Sequence, residues 1–354
     1  MTILRPRPVP SEQIGLLPLV PSEDPITRLP ILILYPHSRC NCRCLMCDIW
    51  RVKERTELTL EDIEQWRAEW RALGVRRVVL SGGEAMLHSG FGAMCELLRQ
   101  ARIDITLLTT GLLLKRESAR IAGWCDDIVV SMDGPQEIHN QIRNVPRAFE
   151  RLAEGVAAVL AADASVSVSG RCTVQRANFR SLRATVAAAH KIGLRRISFL
   201  AADVSSEAFN RETGWPEERV AQVALDPDEL PELAAELEAL EDENAADFTS
   251  GFIAESPQKL RRRLLQYFTA VTGREDFYPN VCNAPWVSSV IETDGTVRPC
   301  FFQPALGNLH EAGSLGAVLN SPRAVAFREQ LDTGTNAICR RCVCTLALRE
   351  EAVS

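Results

Sequence analysis

Between Ile31 and Leu200 the sequence alternates short β-rich runs with amphipathic stretches of helical periodicity, and this alternation limits the folds open to the chain. The runs that we predict as strands are 31–35, 77–80, 103–109, 127–130, 165–174 and 197–200. The predicted helices between them are 60–73, 91–101, 115–124, 148–162 and 179–192, and Thr59 is a suitable N-cap for the first. Strands joined by helical crossovers form parallel sheets, so we predict an α/β fold with a partial (β/α)6, TIM-like barrel.

The alternation ends after Leu200, and the composition of the chain changes twice more. An acidic stretch at 226–244 and a basic stretch at 259–268 are interpreted as two solvated helices that bridge domains, with a substrate lid as the alternative. From Tyr278 the chain carries cysteines, with short strands expected around Val290 and Val297. We therefore divide the chain into an N-terminal extension (1–29), a barrel (30–204), a helical connector (205–277) and a small C-terminal domain (278–354).

The bulk composition excludes some functions and draws attention to the cysteines. The formal net charge of -6 argues against a nucleic-acid partner, which calls for a basic surface. No apolar run is long enough for a membrane span, and no signal peptide is evident, so we expect a cytoplasmic protein without a membrane partner. Seven of the twelve cysteines fall in two clusters, which in a reducing compartment indicates metal sites.

The first cysteine cluster lies just after the first predicted strand. Cys40, Cys44 and Cys47 are spaced C-x3-C-x2-C, which offers three thiolates to an iron–sulfur cubane that needs four ligands. One iron is thereby left for a small molecule, as a cluster that performs chemistry requires. The alternative is a zinc site that also uses Cys42, although zinc usually takes two well-separated pairs of ligands.

This cysteine loop resembles that of the radical S-adenosylmethionine (SAM) superfamily. The resemblance implies that Cys40, Cys44 and Cys47 hold a [4Fe–4S] cluster whose free iron binds SAM. It also implies reductive cleavage of SAM to a 5′-deoxyadenosyl radical that abstracts hydrogen from a substrate. The residue before the third cysteine is usually aromatic in the family and is Met46 here, whose thioether can still pack on adenine.

Further motifs at predicted strand ends agree with the resemblance. Gly82, Gly83 and Glu84 follow the second strand, where glycines allow close approach of a ligand and the carboxylate can accept a hydrogen bond from the amine of SAM. The resemblance also implies SAM contacts for polar residues at later strand ends, where barrel enzymes place their active sites. These are Thr110 and Ser131 for the ribose or methionyl part, Arg143 and Arg171 for the carboxylate, and Leu200 near the end of the sixth strand.

The second cysteine cluster, together with Cys282 and Cys300, supplies a complete set of four ligands. Cys282, Cys300, Cys339 and Cys342 resemble the shortened "twitch" form of the SPASM domain, which implies one auxiliary [4Fe–4S] cluster. A four-cysteine zinc ribbon is the alternative at this site. Cys344 could replace Cys342 or donate a hydrogen atom, whereas Cys172 could quench a radical if it faces the barrel interior.

Together these features predict a radical SAM enzyme with two [4Fe–4S] clusters. The substrate is expected to be a small metabolite, because only about thirty residues precede the barrel and leave no room for a leader-binding domain. The auxiliary cluster would accept an electron and make the net reaction an oxidation, and flavodoxin or ferredoxin would supply the reducing electron. A maturase that cross-links or epimerises a ribosomal peptide is the alternative, and a non-catalytic iron–sulfur or zinc protein is a more distant one. Cys95 and Cys125 are predicted as small core residues.

Overall fold

A computed structural model describes residues 25–211 and 213–348 of the chain, and its central feature is one mixed β-sheet. The sheet strands in these residues are β1 Ile31–Leu34, β2 Arg77–Leu80, β3 Asp104–Thr109, β4 Asp127–Ser131, β5 Ser167–Val174, β6 Ile197–Ala201, β7 Ser288–Ile291, β8 Thr296–Arg298 and β9 Gly307–Asn308. The strands lie in the order β6-β5-β4-β3-β2-β1-β7-β8-β9. The first six are parallel and joined by helices, so the predicted α/β partial barrel is confirmed.

Helices cover the outer face of this sheet and fill the connections. Those in the barrel are α1 Leu60–Ala72, α2 Phe91–Gln100, α3 Ser118–Trp124, α4 Gln136–Arg143, α5 Ala148–Ala162 and α6 Leu182–Lys191. The later ones are α7 Glu217–Val223, α8 Leu230–Glu243, α9 Ala245–Ser250, α10 Pro257–Leu260, α11 Tyr267–Val271, α12 Ala284–Val287, α13 Leu309–Ala312, α14 Leu315–Leu319, α15 Pro322–Gln330 and α16 Ala337–Arg340. Short 3-10 turns lie at Ile49–Arg51, Ala85–Leu87, Leu114–Glu117, Phe179–Ser181 and Pro227–Glu229, and a π-helical turn at Arg261–Gln266.

Local sequence accounts for these elements where it encodes a cap or a period. Thr59 caps α1 as predicted, because its side chain accepts a hydrogen bond from the Asp62 amide while the Asp62 carboxylate accepts one from the Thr59 amide. Helix α4 was not predicted, because its eight residues are fewer than the window of about 11–18 residues over which a helical period is judged.

The strands of the barrel bury one face against the helices and leave the other facing inward. In β5 the residues Val168, Cys172 and Val174 belong to the main apolar core, whereas the alternating residues Ser169 and Arg171 are half-buried. This period of two is that of a strand with two different environments. The inner face of the barrel is therefore partly polar at β5, which matters for the cavity described below.

The C-terminal region continues the barrel sheet instead of building a separate one. Strand β7 lies parallel to β1, with Ile31 opposite Ser288 and Leu34 opposite Ile291. Strands β8 and β9 then follow in antiparallel pairing. Because β7 extends the sheet at the β1 edge, the cysteine-bearing C-terminal segment is fixed next to the strand that leads into the first cysteine loop.

The opposite edge of the sheet, at β6, is covered by an extended segment. The Ile197 amide donates to the Phe252 carbonyl at 2.7 Å, and the Ala254 amide donates to the Ile197 carbonyl at 2.8 Å. These bonds satisfy an edge that would otherwise expose unpaired backbone groups. They also bring Glu255 to the inner side of β6, where its carboxylate accepts a hydrogen bond from the Phe199 amide at 3.0 Å.

The two charged stretches of the connector are not solvated bridges, and that interpretation was wrong. Helix α8 buries Leu233, Leu237 and Leu240, and the basic stretch buries Leu264 and Phe268. The charges dominate the composition, but the apolar residues recur at helical spacing and dock both stretches on the barrel. Among the described residues no helix is long and apolar enough to cross a membrane.

Candidate functional site

The first cysteine loop follows β1 and folds into a small apolar cluster of its own. Cys42, Cys44 and Met46 are buried, and Cys40 and Cys47 are half-buried and pack against them. The structure thus brings together the three predicted ligands and Met46 at the carboxyl end of the first strand, where the sequence placed them.

A buried ion pair meets the loop at Cys44. Arg143, at the end of α4, donates from Nη1 to the Sγ of Cys44 at 3.4 Å, and its Nη2 lies 2.5 Å from a carboxylate oxygen of Asp133. Asp133 is fully buried and also accepts a hydrogen bond from the Thr173 amide at 3.0 Å. Arg143 therefore contacts a predicted cluster ligand, a position that its assignment to the SAM carboxylate did not foresee.

These contacts set the protonation of the thiols. The hydrogen bond with Cys42 is the main cause that lowers the pKa of Cys44 to about 7, and Arg143 lowers it further against the effect of burial. The neighbouring thiols of Cys40 and Cys44, together with burial, raise the pKa of Cys42 far above its usual range. Burial raises the pKa of Cys47 to about 12. Thiolates are the ligands of iron, so ligation by Cys47 would release its proton, while Cys42 is best suited to remain a thiol.

Gly82 and Gly83, which follow β2, are required by close packing against neighbouring segments of the protein. A side chain at Gly83 would place its Cβ 2.1 Å from the carbonyl oxygen of Arg39, one residue before Cys40. Gly82 has a φ of +88°, and a Cβ there would lie 2.8 Å from the ring of Tyr35. The glycines thus let the β2 loop press against the cysteine loop, a close approach of backbone to backbone.

Glu84 ties the strand ends together. Its carboxylate is fully buried and accepts hydrogen bonds from the Thr109 hydroxyl at 2.9 and 3.0 Å, from the Thr110 amide and hydroxyl at 2.8 Å each, and from the Met86 amide at 3.3 Å. Burial raises the pKa of Glu84 although these bonds oppose the shift. A contact between Glu84 and the amine of SAM would require one of these partners to be exchanged.

Asn41 is a site residue that sequence reasoning missed. Its carbonyl oxygen accepts a hydrogen bond from the Thr110 hydroxyl at 2.9 Å, which joins the cysteine loop to the end of β3. The amide nitrogen of Asn41 and the Nε of Arg143 are buried without a hydrogen-bond partner. Buried donors without partners are rare, and two of them beside the cysteine loop fit an acceptor group of a ligand such as SAM. The position of Asn41 between Cys40 and Cys42 was the sequence signal that could have identified it as a site residue.

A second unpredicted group clamps the other side of the loop. Arg211 is buried, donates to the Met46 carbonyl at 2.9 Å and pairs with Asp203 at 3.0 Å. Its guanidinium lies 3.8 Å from the ring of Trp215, which itself donates to Asp48 at 2.5 Å. No local motif marks these residues, because they come from an irregular segment that only the fold brings to the loop.

The four predicted auxiliary ligands also converge. Burial, with a smaller effect of the neighbouring Cys282 and Cys339, raises the pKa of Cys300 to about 12. Burial is likewise the main cause that raises the pKa of Cys342, with Cys344, Cys300 and Cys282 adding to the effect.

Each of these four sulfurs has at least one N–H group directed at it. The donors are the Leu346 amide for Cys282 (3.4 Å), the amides of Phe302 and Gln303 for Cys300, the Gln303 side chain for Cys339 (3.3 Å) and the Cys344 amide for Cys342 (3.3 Å). Hydrogen bonds to sulfur stabilise thiolates and tune iron–sulfur clusters, so the donor set fits such a cluster. Within residues 25–211 and 213–348 no three His, Cys, Asp or Glu side chains are grouped as ligands of a single metal ion.

The remaining predicted site residues lie deeper in the barrel. Arg171 and Leu200 line a cavity of about 280 Å³ bounded by β4, β5 and β6, by Glu255 and Arg263, and by residues 343–345. Ser131, at the end of β4, pairs in register with Arg171. Arg171 and Leu200 are among the residues that line this cavity, whereas no residue of the first cysteine loop is.

The other cysteines occupy the core. Cys95 in α2 and Cys125 after α3 are buried in the main apolar cluster, as predicted. Cys172 belongs to the same cluster, and its sulfur accepts a hydrogen bond from Asn178 at 3.5 Å. It therefore faces the helices, and the idea that it faces the barrel interior was wrong.

Comparisons with known proteins agree with this geometry. The sequence profile of the radical SAM superfamily matches residues 34–202, and that of the SPASM iron–sulfur cluster-binding domain matches residues 282–343. The AdoMet-dependent heme synthase of Methanosarcina barkeri is 28% identical over 175 residues, which are 48% of this chain and 49% of that protein. The chain thus spans about half the length of this curated relative.

Two solved structures share the fold over nearly the whole chain. Streptococcus suis SuiB bound to S-adenosylmethionine has a TM-score of 0.61 at 15% identity and covers 90% of this chain and 72% of its own, and SuiB has also been solved with its precursor peptide SuiA. The enzyme anSMEcpe with bound AdoMet has a TM-score of 0.63 at 20% identity and covers 88% of this chain and 86% of its own.

The parallel partial barrel, the three-cysteine loop after its first strand and the two family matches define the class of this protein. The chain belongs to the radical SAM superfamily. Its C-terminal region is a SPASM iron–sulfur cluster-binding domain.

Proposed function

We propose that the chain holds a [4Fe–4S] cluster at Cys40, Cys44 and Cys47 and uses it to cleave SAM reductively, producing a 5′-deoxyadenosyl radical that abstracts hydrogen from a small-molecule substrate. The cluster would supply the electron and the open coordination site. The observation that carries the proposal is the convergence of the loop with Glu84, Thr110 and two unpartnered donors at the carboxyl ends of parallel strands, where barrel enzymes bind their ligands.

The chain's own residues would bind and orient SAM around the loop. The Asn41 amide and the Nε of Arg143 are the buried donors available to a carboxylate, and Met46 offers an apolar contact for adenine. Asp133 holds Arg143 in place through the buried ion pair. Thr110 is fixed by Glu84, so its hydroxyl is preorganised at the strand end. Ser131, the last residue of β4, would contact the ribose or methionyl part of SAM.

We further propose an auxiliary [4Fe–4S] cluster at Cys282, Cys300, Cys339 and Cys342. The N–H groups directed at each of these sulfurs support four-cysteine ligation. A fully ligated cluster has no open iron and is suited to electron transfer. It would accept one electron from the substrate radical, which makes the net reaction an oxidation, and flavodoxin or ferredoxin would supply the electron that SAM cleavage consumes.

A small molecule is the substrate that the cavity favours. Its volume of about 280 Å³ is just below the range of about 300–1,000 Å³ that is usual for small-molecule sites, and residues of β4, β5 and β6 line it. The heme synthase relative is named for synthesis of a small molecule, whereas SuiB has been solved with a peptide. Tight binding of a precursor peptide by this chain would replace our proposal with that of a peptide maturase.

The experiment compares SAM cleavage in two cysteine variants after anaerobic reconstitution with iron and sulfide. We expect Cys44→Ala to abolish release of 5′-deoxyadenosine under dithionite, because the cluster loses one of three ligands. The matched control, Cys95→Ala, removes a core thiol in α2 and should retain release. Release that survives in Cys44→Ala would refute the assignment of the first site.

A further inference from the structure

Three arginines line the barrel cavity. Arg171 comes from β5, Arg196 immediately precedes β6 and Arg263 belongs to the π-helical turn, so three separate elements converge on one space. Within the part of the chain that the structure describes, none of the three forms a salt bridge, although Arg171 and Arg263 interact electrostatically with Glu255, which lines the same cavity. Arginines elsewhere in the barrel do form such pairs, as Arg183 does with Glu236 at 2.9 Å.

These arginines use only a small part of their hydrogen-bonding capacity in the contacts that they form within the protein. Arg171 donates to the Ser198 hydroxyl at 3.5 Å, Arg196 donates to the Ala254 carbonyl at 3.3 Å, and Arg263 donates to the Thr345 hydroxyl. Each partner is a neutral oxygen. Because a guanidinium carries five N–H donors, most of the donors in the cavity remain available to a ligand.

One carboxylate lines the cavity, and it does not neutralise the three positive charges. Burial raises the pKa of Glu255, although Lys259, Arg263 and Arg171 oppose the shift. Even a fully ionised Glu255 leaves an excess of two positive charges among the lining residues named. Arg171 and Arg263 are half-buried and Arg196 is exposed at the mouth, so a charged ligand can enter past Arg196 toward the other two.

We infer that this cavity binds an anionic group of the substrate, a carboxylate or a phosphate, through Arg171 and Arg263, with Arg196 at the entrance. The inference rests on the proposed function, since it places the substrate in the barrel beneath the SAM site. Arg171 then contacts the substrate and not the carboxylate of SAM. The reason for this reassignment is that Arg171 lines the cavity and no residue of the first cysteine loop does.

The test is calorimetric titration of the reconstituted chain with two probes, inorganic pyrophosphate and malonate, without reductant. We expect one equivalent of at least one probe to bind, with pyrophosphate tighter for a phosphate site and malonate tighter for a carboxylate site. Arg171→Gln and Arg263→Gln should each weaken binding roughly ten-fold, the size expected when one charged hydrogen-bond partner is lost. Arg323→Gln, at an exposed position of α15, is the matched control and should bind as the wild type does.

Two further results would overturn the inference. The first is binding that is absent, or equal in all four proteins, which would mean that the cavity has no anion site. The second is competition of the probe with SAM together with an equal loss of SAM affinity in Arg171→Gln, which would assign the site to the SAM carboxylate. The titration is independent of the SAM-cleavage assay, so the two hypotheses can fail separately. A chain that cleaves SAM but binds neither probe contradicts only this inference. A chain that binds a probe but never cleaves SAM contradicts only the proposed function.

Discussion

The buried pair Asp133–Arg143 gives a quantitative test of how the cysteine loop is supported. Asp133 is fully buried and its carboxylate lies 2.5 Å from Nη2 of Arg143, whose Nη1 contacts Cys44. Asp133→Asn keeps an acceptor for the Thr173 amide but removes the charge that compensates Arg143. Leaving one member of a buried pair uncompensated costs about 3–5 kcal/mol, and we expect a loss of that size in the free energy of unfolding.

The matched control is the same substitution at Asp127, the first residue of β4, the strand that Asp133 follows. Asp127 pairs with Arg77 at 3.0 Å, but both side chains are about one-third exposed. We therefore expect Asp127→Asn to cost less than about 1 kcal/mol. The measurement is anaerobic urea unfolding of the cluster-free proteins, followed by tryptophan fluorescence. Equal losses in the two variants would refute the argument that burial makes Asp133 the structural support of Arg143.

Two more predictions concern the surroundings of the loop. Gly83→Ala should displace the first cysteine loop, because the new Cβ would lie 2.1 Å from the Arg39 carbonyl oxygen. Iron analysis should then show the loss of about four irons per chain. The control variant Gly123→Ala, whose new Cβ meets nothing within 4 Å, should retain all of its iron. Burial alone would raise the pKa of Glu57, but hydrogen bonds, those from Ser89 foremost, lower it to about 2. The stability that Glu57 adds is therefore complete above its unfolded pKa of about 4.5 and is lost as the pH falls toward 2, so the advantage of the wild type over Glu57→Gln in urea unfolding should shrink by up to about 3 kcal/mol. A pH-independent difference would contradict that sign.

Much of the barrel could be predicted from the sequence because its strands and helices are locally encoded. β2 begins and ends where expected, and α5 does too, since each has a clear apolar period. The pairing of β7 with β1 could not be predicted, because it joins residues far apart in the chain and no local pattern specifies a partner strand.

In the candidate site, too, some features could be predicted from local sequence and others could not. The cysteine spacing indicated the two sets of ligands directly, whereas the neighbours of the loop depend on tertiary structure. Asp133 and Arg211 reach the site through buried ion pairs that the sequence does not encode locally. For Glu84 the sequence indicated a ligand contact, and the structure adds four hydrogen bonds from Thr109 and Thr110 at the end of β3 and one from the Met86 amide.

The most direct test of the account is the iron and acid-labile sulfide content of the anaerobically reconstituted chain, measured together with release of 5′-deoxyadenosine. We predict about eight irons per chain with release, about four irons without release in Cys44→Ala, and about four irons in Cys300→Ala. Zinc at either site in place of iron, or eight irons retained in Cys300→Ala, would contradict the assignment of two [4Fe–4S] clusters to these cysteines.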